Sequence, residues 1–153
     1  MLMVCSLLGC VDCAAAQSAP QTGAEAFILM DAGSGRVLTG KNTEQELAIA
    51  STTKIMTALI ALETMDPEEY TTVSENAVRQ EGSSIYLKTD EKIRMKDLLY
   101  GMMLRSGNDA AVAVAEAAGG SVEEFAVMMN ERASALGLQN SHFVNPSDRK
   151  SVV

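Results

Sequence analysis

The sequence predicts an α+β fold in which a cluster of helices follows an N-terminal β-hairpin. Apolar residues recur at helical spacing in several segments after residue 50, whereas two short apolar runs before it flank a Gly-containing turn. Hydrophobic residues make up 47% of the 153-residue chain and charged residues 21%, a composition typical of a folded globular protein. The chain is long enough for one domain of ordinary size.

Charge and residue usage exclude several classes of function. The formal net charge is −8, whereas nucleic-acid binding needs clustered Lys and Arg. Cys5, Cys10 and Cys13 precede the rest of the chain, which therefore has no disulfide, no thiol nucleophile and no cysteine metal site. The single histidine, His142, leaves no second imidazole for a zinc cluster, and we expect it to be a loop residue. We expect no nucleic-acid partner and no metal.

The first sixteen residues have the pattern of an export signal. Residues 1–11 carry no charge and are largely apolar, and small residues in an A-x-A arrangement lead to a predicted cleavage after Ala16. The run is shorter than the roughly 20 residues of a membrane-spanning helix. The sequence LLGC also resembles a lipoprotein signal, with Cys10 as the lipidated residue. The predicted organisation is an export signal (1–16), a linker (17–23), a folded domain (24–146) and a tail (147–153).

The first element after the linker is the hairpin. Residues 26–30 and 36–40 are apolar runs on either side of the turn cluster Asp31-Ala32-Gly33-Ser34-Gly35, an arrangement typical of two antiparallel strands. We expect this hairpin to have unpaired edges and to promote aggregation when it stands alone. Further extended segments are predicted at 70–73 and 84–87, and a turn is predicted at 89–92.

The helices follow from apolar spacing and from start and stop signals. Asp66-Pro67 ends the first helix, Gly119-Gly120 ends the Ala-rich one, and Ser121 and Glu124 form a capping box for the last. The predicted helices are 52–65, a short helix capped by Ser74 and ending at Val78, 95–104, 109–118 and 121–136. We expect the first helix to be mostly buried and Met102 and Met103 to face inward.

Ser51 and Lys54 are three residues apart at the start of the first helix. Positions i and i+3 lie on one helix face, so the amine of Lys54 can reach the hydroxyl of Ser51. A serine hydroxyl is a poor nucleophile without an adjacent base, and a lysine acts as that base when burial or nearby positive charge lowers its pKa. Backbone N–H groups at the helix N-terminus favour developing negative charge. We interpret Ser51 as a nucleophile and Lys54 as its base.

A second cluster, Ser106-Gly107-Asn108, lies between two helical patterns. In an extended loop the side chains of Ser106 and Asn108 would point the same way, and Gly107 permits close approach of backbone or substrate. Facing the Ser51 turn, Ser106 would relay a proton and Asn108 would bind a substrate amide. Each motif alone also fits a turn and a helix cap, but their order and positions before helices make the pair more specific.

Ser51-Thr52-Thr53-Lys54 followed by Ser106-Gly107-Asn108 resembles the S-x-x-K and S-x-N motifs of the penicillin-recognising serine enzymes. The flanking sequence resembles serine D-alanyl-D-alanine carboxypeptidases, the low-molecular-mass penicillin-binding proteins of peptidase family S11. The segments that carry this resemblance are AFILMDAGSGRVLTG (26–40), ASTTKIMTAL (50–59), GSSIYL (82–87), DLLYGMMLRSGNDAAV (97–112) and HFVNP (142–146).

This resemblance implies a β-lactamase/transpeptidase-like fold and an acyl-serine mechanism. Ser51 would attack the carbonyl of the penultimate D-Ala of a peptidoglycan stem peptide, Lys54 would take its proton, and Ser106 would help the terminal D-Ala to leave. Gly107 and Asn108 would contribute to substrate binding, and β-lactams would acylate Ser51. The resemblance implies no metal or organic cofactor. It implies an exported bacterial protein at the periplasmic or extracellular face of the cytoplasmic membrane, with membrane association in the full-length form.

The sequence departs from the family in two places. The third family motif, Lys-Thr-Gly on a late strand that helps to hold the substrate carboxylate, does not occur, and residues 147–153 lack the Gly-containing turn that usually follows Asn-Pro. We therefore expect an N-terminal fragment of the carboxypeptidase domain with the later sheet strands missing. The alternatives are a serine β-lactamase or another penicillin-binding transpeptidase and, from a different class, a non-catalytic helical binding module.

Overall fold

The computed structural model describes residues 20–147. The chain divides into two compact units, one ending at Gln45 and the other beginning at Glu46. The predicted export signal and the tail beyond Ser147 lie outside the described residues. None of the described helices is both long and apolar enough to cross a membrane.

The first unit contains the predicted hairpin, which is confirmed. Strand β1 (Phe27–Met30) pairs antiparallel with β2 (Val37–Lys41), with Phe27 opposite Lys41 and an irregularity in register at Leu29. The two strands form a sheet of their own within the described part of the chain. Asp31 closes the turn, because its carbonyl accepts from Gly35 N–H and its carboxylate accepts from Ser34.

The second unit is mostly helical. After a 3-10 turn at Ala50–Thr52, five helices and one antiparallel strand pair occupy the described residues of this unit. These are α1 (Thr53–Thr64), β3 (Tyr70–Thr72), α2 (Glu75–Val78), β4 (Lys92–Arg94), α3 (Met95–Arg105), α4 (Asn108–Gly119) and α5 (Val122–Ala135). The helix predictions are confirmed to within one residue at each end, a margin within which helix assignments ordinarily vary.

Two of the predictions for extended segments and turns are wrong. The pairing of β3 with β4 places Lys92 in a strand, where the sequence predicted a turn. Residues 84–87 form no strand, because Tyr86 has a φ of +64° and its backbone lies in the left-handed region.

Helix α4 is the centre of the second unit. It packs against α1, α2, α3 and α5, and the seven residues from Asp109 to Ala115 are all buried. A helix that is buried on every side belongs to the interior of a fold, and alanines let the neighbouring helices approach closely. The apolar side chains of α3 lie on one side of α4, and those of Met56, Phe125 and Met129 form a second cluster with Ala115.

The expectation that α1 is mostly buried and that Met103 faces inward is partly wrong. Ile55 and Leu62 are 59% and 57% exposed, and Met103 is 46% exposed, whereas Met56 and Met102 are buried. Helices α1 and α3 are apolar on more than one face. Leu62 and Met103 line an open apolar groove of about 470 Å³ between the two helices.

We predict that exposed apolar side chains of the hairpin drive self-association. Ile28 and Val37 are each 52% exposed, and unpaired apolar strands are templates for pairing with other chains. The double substitution Ile28→Lys/Val37→Lys should lower the weight-average molar mass that sedimentation equilibrium measures at high protein concentration. Glu25→Lys is the matched control, because both variants change the net charge from −8 to −6. Equal effects of the two variants would assign the change to charge and contradict the prediction.

Candidate active site

Ser51 lies in the 3-10 turn that precedes α1, with its side chain exposed. The preceding residue, Ala50, has a φ of +48°, a conformation that non-glycine residues adopt only when the surroundings impose it. The hydroxyl of Thr52 donates to the carbonyl of Ile49 and ties the turn to the chain before it. The turn therefore presents the Ser51 hydroxyl to solvent at the head of a buried helix.

Lys54 is the most unusual residue of α1, because its long charged side chain is only 2% exposed. Its Nζ lies 3.2 Å from Ser51 Oγ, 2.9 Å from Asn108 Oδ1 and 3.3 Å from the carbonyl oxygen of Ser147. The amine thus lies within the distance over which a general base can take the Ser51 proton. The predicted contact between Lys54 and Ser51 across one helical turn is present.

Ser106 reaches the same centre from the end of α3. Its Oγ lies 2.8 Å from Ser51 Oγ, and the structure assigns Ser106 as the donor. Ser106 has a φ of +56° and a ψ of +31°, so it ends α3 in the left-handed conformation rather than in the extended loop that the sequence suggested. The two motifs do converge, but a tight helix-ending turn brings them together.

Asn108 is the first residue of α4, and both ends of its amide are bonded. Oδ1 accepts from Lys54, while Nδ2 donates to the carbonyl of Glu81 at 2.7 Å. The backbone N–H of Asn108 donates to the carbonyl of Ser83 at 2.7 Å. Gly107 is buried, and a Cβ there would lie 2.9 Å from Asp109 Oδ1, so close packing requires glycine at this position.

The segment after α5 supplies the carbonyl of Ser147 and is held at two points. Thr57 Oγ1 donates to the carbonyl of Pro146 at 2.8 Å, and the side-chain amide of Asn130 bonds both the N–H and the carbonyl of Phe143. Helices α1 and α5 thus place the Ser147 carbonyl at Lys54. Sequence reasoning missed Glu81 and Ser147, because they act through backbone oxygens that every residue has.

Asp109 is a buried carboxylate beside the site, in the first turn of α4. It is 1% exposed and accepts hydrogen bonds from Ser84 Oγ and from the N–H groups of Ile85, Leu87 and Ala110. Burial raises the pKa of Asp109, but these hydrogen bonds together outweigh burial and leave its pKa below the usual range. The sequence signal was a carboxylate at the head of an otherwise apolar, Ala-rich helix.

His142 is exposed in the loop after α5, as the sequence predicted. Among residues 20–147, no group of three or more His, Cys, Asp or Glu side chains is arranged to hold a metal ion.

We predict that Thr57→Val destabilises the second unit by about 1–3 kcal/mol, because it leaves the buried Pro146 carbonyl without its hydroxyl partner. Urea denaturation measures the change. Thr53→Val is the matched control on the same helix, because Thr53 Oγ1 is buried and has no hydrogen-bond partner among the described residues. The control should be neutral or stabilising, and equal destabilisation by the two variants would contradict the assignment.

We also predict that ionisation of Asp109 stabilises the fold at neutral pH. Its pKa is lower in the folded state than in the unfolded chain, where it is about 3.9. The stabilisation is therefore present above the unfolded pKa and is lost as pH falls through the folded value. Thermal unfolding between pH 7 and pH 2 should show that the wild type loses more stability on acidification than Asp109→Asn does. Parallel pH profiles would contradict the prediction.

Comparison with known proteins gives consistent matches to one family. Residues 13–148 match the family model of the D-alanyl-D-alanine carboxypeptidases, peptidase family S11. D-alanyl-D-alanine carboxypeptidase DacF of Bacillus subtilis is 42% identical over 129 residues, which cover 81% of this chain and 33% of that protein. The chain thus spans about one third of the length of this curated relative.

Two solved structures extend the likeness to the fold. Penicillin binding protein 5 from Haemophilus influenzae matches with a TM-score of 0.79 at 32% identity, covering 86% of this chain and 40% of that one. A point mutant of the Streptomyces K15 DD-transpeptidase matches with a TM-score of 0.82 at 32% identity, covering 88% and 57%. These likenesses confirm the predicted α+β, transpeptidase-like fold class. Because the family model matches most of the chain, this protein belongs to the D-alanyl-D-alanine carboxypeptidase family, peptidase family S11.

Proposed function

We propose that this chain carries the nucleophile and base of a serine D-Ala-D-Ala carboxypeptidase that works through an acyl-Ser51 intermediate. The observation that carries the proposal is the convergence of three groups from separate elements. Ser51 Oγ lies 3.2 Å from Lys54 Nζ and 2.8 Å from Ser106 Oγ, while Ser51 is exposed and Lys54 is buried. A nucleophile open to solvent beside a buried base is what acyl transfer requires.

The hydrogen-bond acceptors around Lys54 suggest how it accepts a proton. A neutral amine has two N–H donors and one lone pair. The Asn108 Oδ1 and Ser147 carbonyl oxygens accept hydrogen bonds and cannot donate them, so they suit the two N–H groups. In this arrangement the lone pair is directed to the Ser51 hydroxyl, 3.2 Å away. Lys54 takes the Ser51 proton as Ser51 attacks, and it returns that proton through Ser106 to the leaving amine.

The proposed substrate is a peptidoglycan stem peptide ending in D-Ala-D-Ala. Ser51 Oγ forms an ester with the penultimate D-Ala, the amide bond breaks, and the terminal D-Ala departs with a proton on its nitrogen. Water then hydrolyses the ester. Asn108 Nδ2 has a second N–H besides the one given to Glu81, and we assign this N–H to the substrate amide.

We further propose that the protein acts outside the cytoplasm, on the periplasmic or extracellular face of the membrane, where peptidoglycan lies. Support comes from the apolar first residues and from the A-x-A arrangement before Gln17, which predict an export signal over 1–16 and a linker over 17–23. The catalytic domain is assigned to 24–146, with 147–153 as a tail.

A transpeptidase is the second candidate, because the Streptomyces K15 structure with the same fold is named a DD-transpeptidase. The two functions share the acyl-enzyme and differ in the group that attacks it, which is water in one case and an amine in the other. Release of the acyl group in the presence and absence of a D-amino-acid acceptor, followed by mass spectrometry, separates them. A strictly hydrolytic outcome favours the carboxypeptidase.

We predict that a fluorescent penicillin labels Ser51 covalently. Ser51→Ala should abolish the labelling, and Lys54→Met should slow it by about 10²- to 10⁴-fold, the contribution typical of a general base. Ser134→Ala is the matched control and should leave the labelling unchanged, because it removes an exposed serine hydroxyl of α5 that makes none of the hydrogen bonds described around Ser51. Intact-mass spectrometry and peptide mapping measure the adduct and its position.

Labelling that persists in Ser51→Ala would contradict the proposal. An unlabelled chain that also stays unlabelled when extended by the remainder of a relative's domain would favour the non-catalytic helical module. Labelling only after that extension would retain Ser51 as the nucleophile and show that the added part of the domain is needed for acylation.

A further inference from the structure

We propose that Asp109 is a positioning residue, whose buried carboxylate fixes residues 81–87 and through them the side chain of Asn108 that contacts Lys54. The inference rests on the proposed function, since it assigns Asp109 a role toward the Ser51–Lys54 pair. None of the hydrogen bonds described above joins Asp109 directly to Ser51 or Lys54.

The bonding of Asp109 goes beyond that of a helix cap. A carboxylate in the first turn of α4 accounts for the bond from Ala110 N–H, whereas the other donors lie 22 to 25 residues earlier in the sequence. Oδ2 accepts from Ser84 Oγ at 2.6 Å and from Leu87 N–H at 3.2 Å, and Ile85 N–H lies 3.1 Å from both oxygens. One carboxylate therefore holds three points of a distant segment.

Residues 81–87 need such support, because the segment has no regular secondary structure. Tyr86 lies in the left-handed region with its side chain 85% exposed, so packing of the ring does not impose the backbone conformation. The bonds to Ile85 and Leu87 bracket Tyr86 from both sides, and Tyr86 N–H donates to Ser84 Oγ at 2.8 Å. An unfavourable backbone persists only when its surroundings determine it.

The same segment selects the orientation of the Asn108 amide. The carbonyl of Glu81 accepts from Nδ2 and the carbonyl of Ser83 accepts from the backbone N–H, both at 2.7 Å. A Cβ at Gly82 would lie 2.8 Å from Asn108 Nδ2, so the segment approaches the amide as closely as its backbone allows. With Nδ2 directed to Glu81, Oδ1 faces Lys54 Nζ. A flipped amide would place its NH₂ against the amine and its oxygen against the Glu81 carbonyl.

The test compares Asp109→Asn with Glu116→Gln. The asparagine side chain keeps one accepting oxygen, and where its NH₂ group replaces Oδ2 it cannot accept from Leu87 N–H and leaves Ile85 N–H with a single acceptor. Glu116 is the matched control about two turns further along α4, where its carboxylate accepts from Ser74 and Asn76 instead of from residues 84–87. Each substitution removes one carboxylate of α4 that accepts several hydrogen bonds. Urea denaturation measures the free energy of unfolding of both variants, so that they are compared at similar stability.

Two readouts follow the proposal. NMR hydrogen exchange at the side-chain amide of Asn108 and at the N–H groups of Ile85 and Leu87 should lose protection in Asp109→Asn and keep it in Glu116→Gln. The rate of Ser51 labelling by a fluorescent penicillin should fall by up to about 10²-fold in Asp109→Asn, the effect expected of a small misplacement. It should be unchanged in Glu116→Gln.

Protection of the Asn108 amide at the wild-type level in Asp109→Asn would overturn the proposal. Equal losses of protection in Asp109→Asn and Glu116→Gln would also overturn it, because Asp109 would then contribute only to the general stability of the fold. If the wild type is not labelled at Ser51, the proposed function fails, and hydrogen exchange at Asn108 still decides the role of Asp109. If Asp109→Asn does not fold, Ser84→Ala removes one donor to Asp109, together with the acceptor of Tyr86 N–H, and should give a smaller loss of Asn108 protection. An unchanged Asn108 in Ser84→Ala would then overturn the proposal.

Discussion

Burial of the Lys54 amine is the constraint on which the arrangement of the second unit depends. A buried amine that lacks hydrogen-bond partners is strongly destabilising, so the fold must bring acceptors to it. One comes from the head of α4 as Asn108 Oδ1, and another comes from the segment after α5 as the Ser147 carbonyl. Because these acceptors are distant in sequence, satisfying one side chain fixes three parts of the chain relative to one another.

Helix α4 makes this arrangement possible. Its alanines allow four helices to pack closely around it. Its first two residues, Asn108 and Asp109, bind two different parts of the chain. Asn108 meets the amine of Lys54, whereas Asp109 meets the backbone of residues 84–87. The N-terminus of a helix favours the role of Asp109, because its unpaired N–H groups and dipole stabilise a nearby carboxylate. A single rigid element therefore connects the core of the unit to the site.

The parts of the site that sequence could predict are those set by local geometry. Ser51 and Lys54 follow from helical spacing, and Ser106 and Asn108 follow from a turn cluster between two helical patterns. The sequence could not predict that backbone carbonyls contribute to the site, because Glu81 and Ser147 act through main-chain oxygens that every residue has. Apolar spacing also failed to separate the core from the exposed surface on α1 and α3, where apolar residues occupy more than one face. The exposed Leu62 and Met103 share the apolar character of buried Met56 and Met102.

Activation of Ser51 and binding of the substrate contribute differently to acylation by a peptide and to acylation by a β-lactam. Every group assigned to activate Ser51 lies between residues 51 and 147. A peptide amide is unreactive, so its cleavage depends on binding energy realised at the transition state. A β-lactam amide is strained and needs less of that energy. In the proposed function, acylation of Ser51 by a β-lactam therefore depends less on substrate binding energy than acylation by a peptide does.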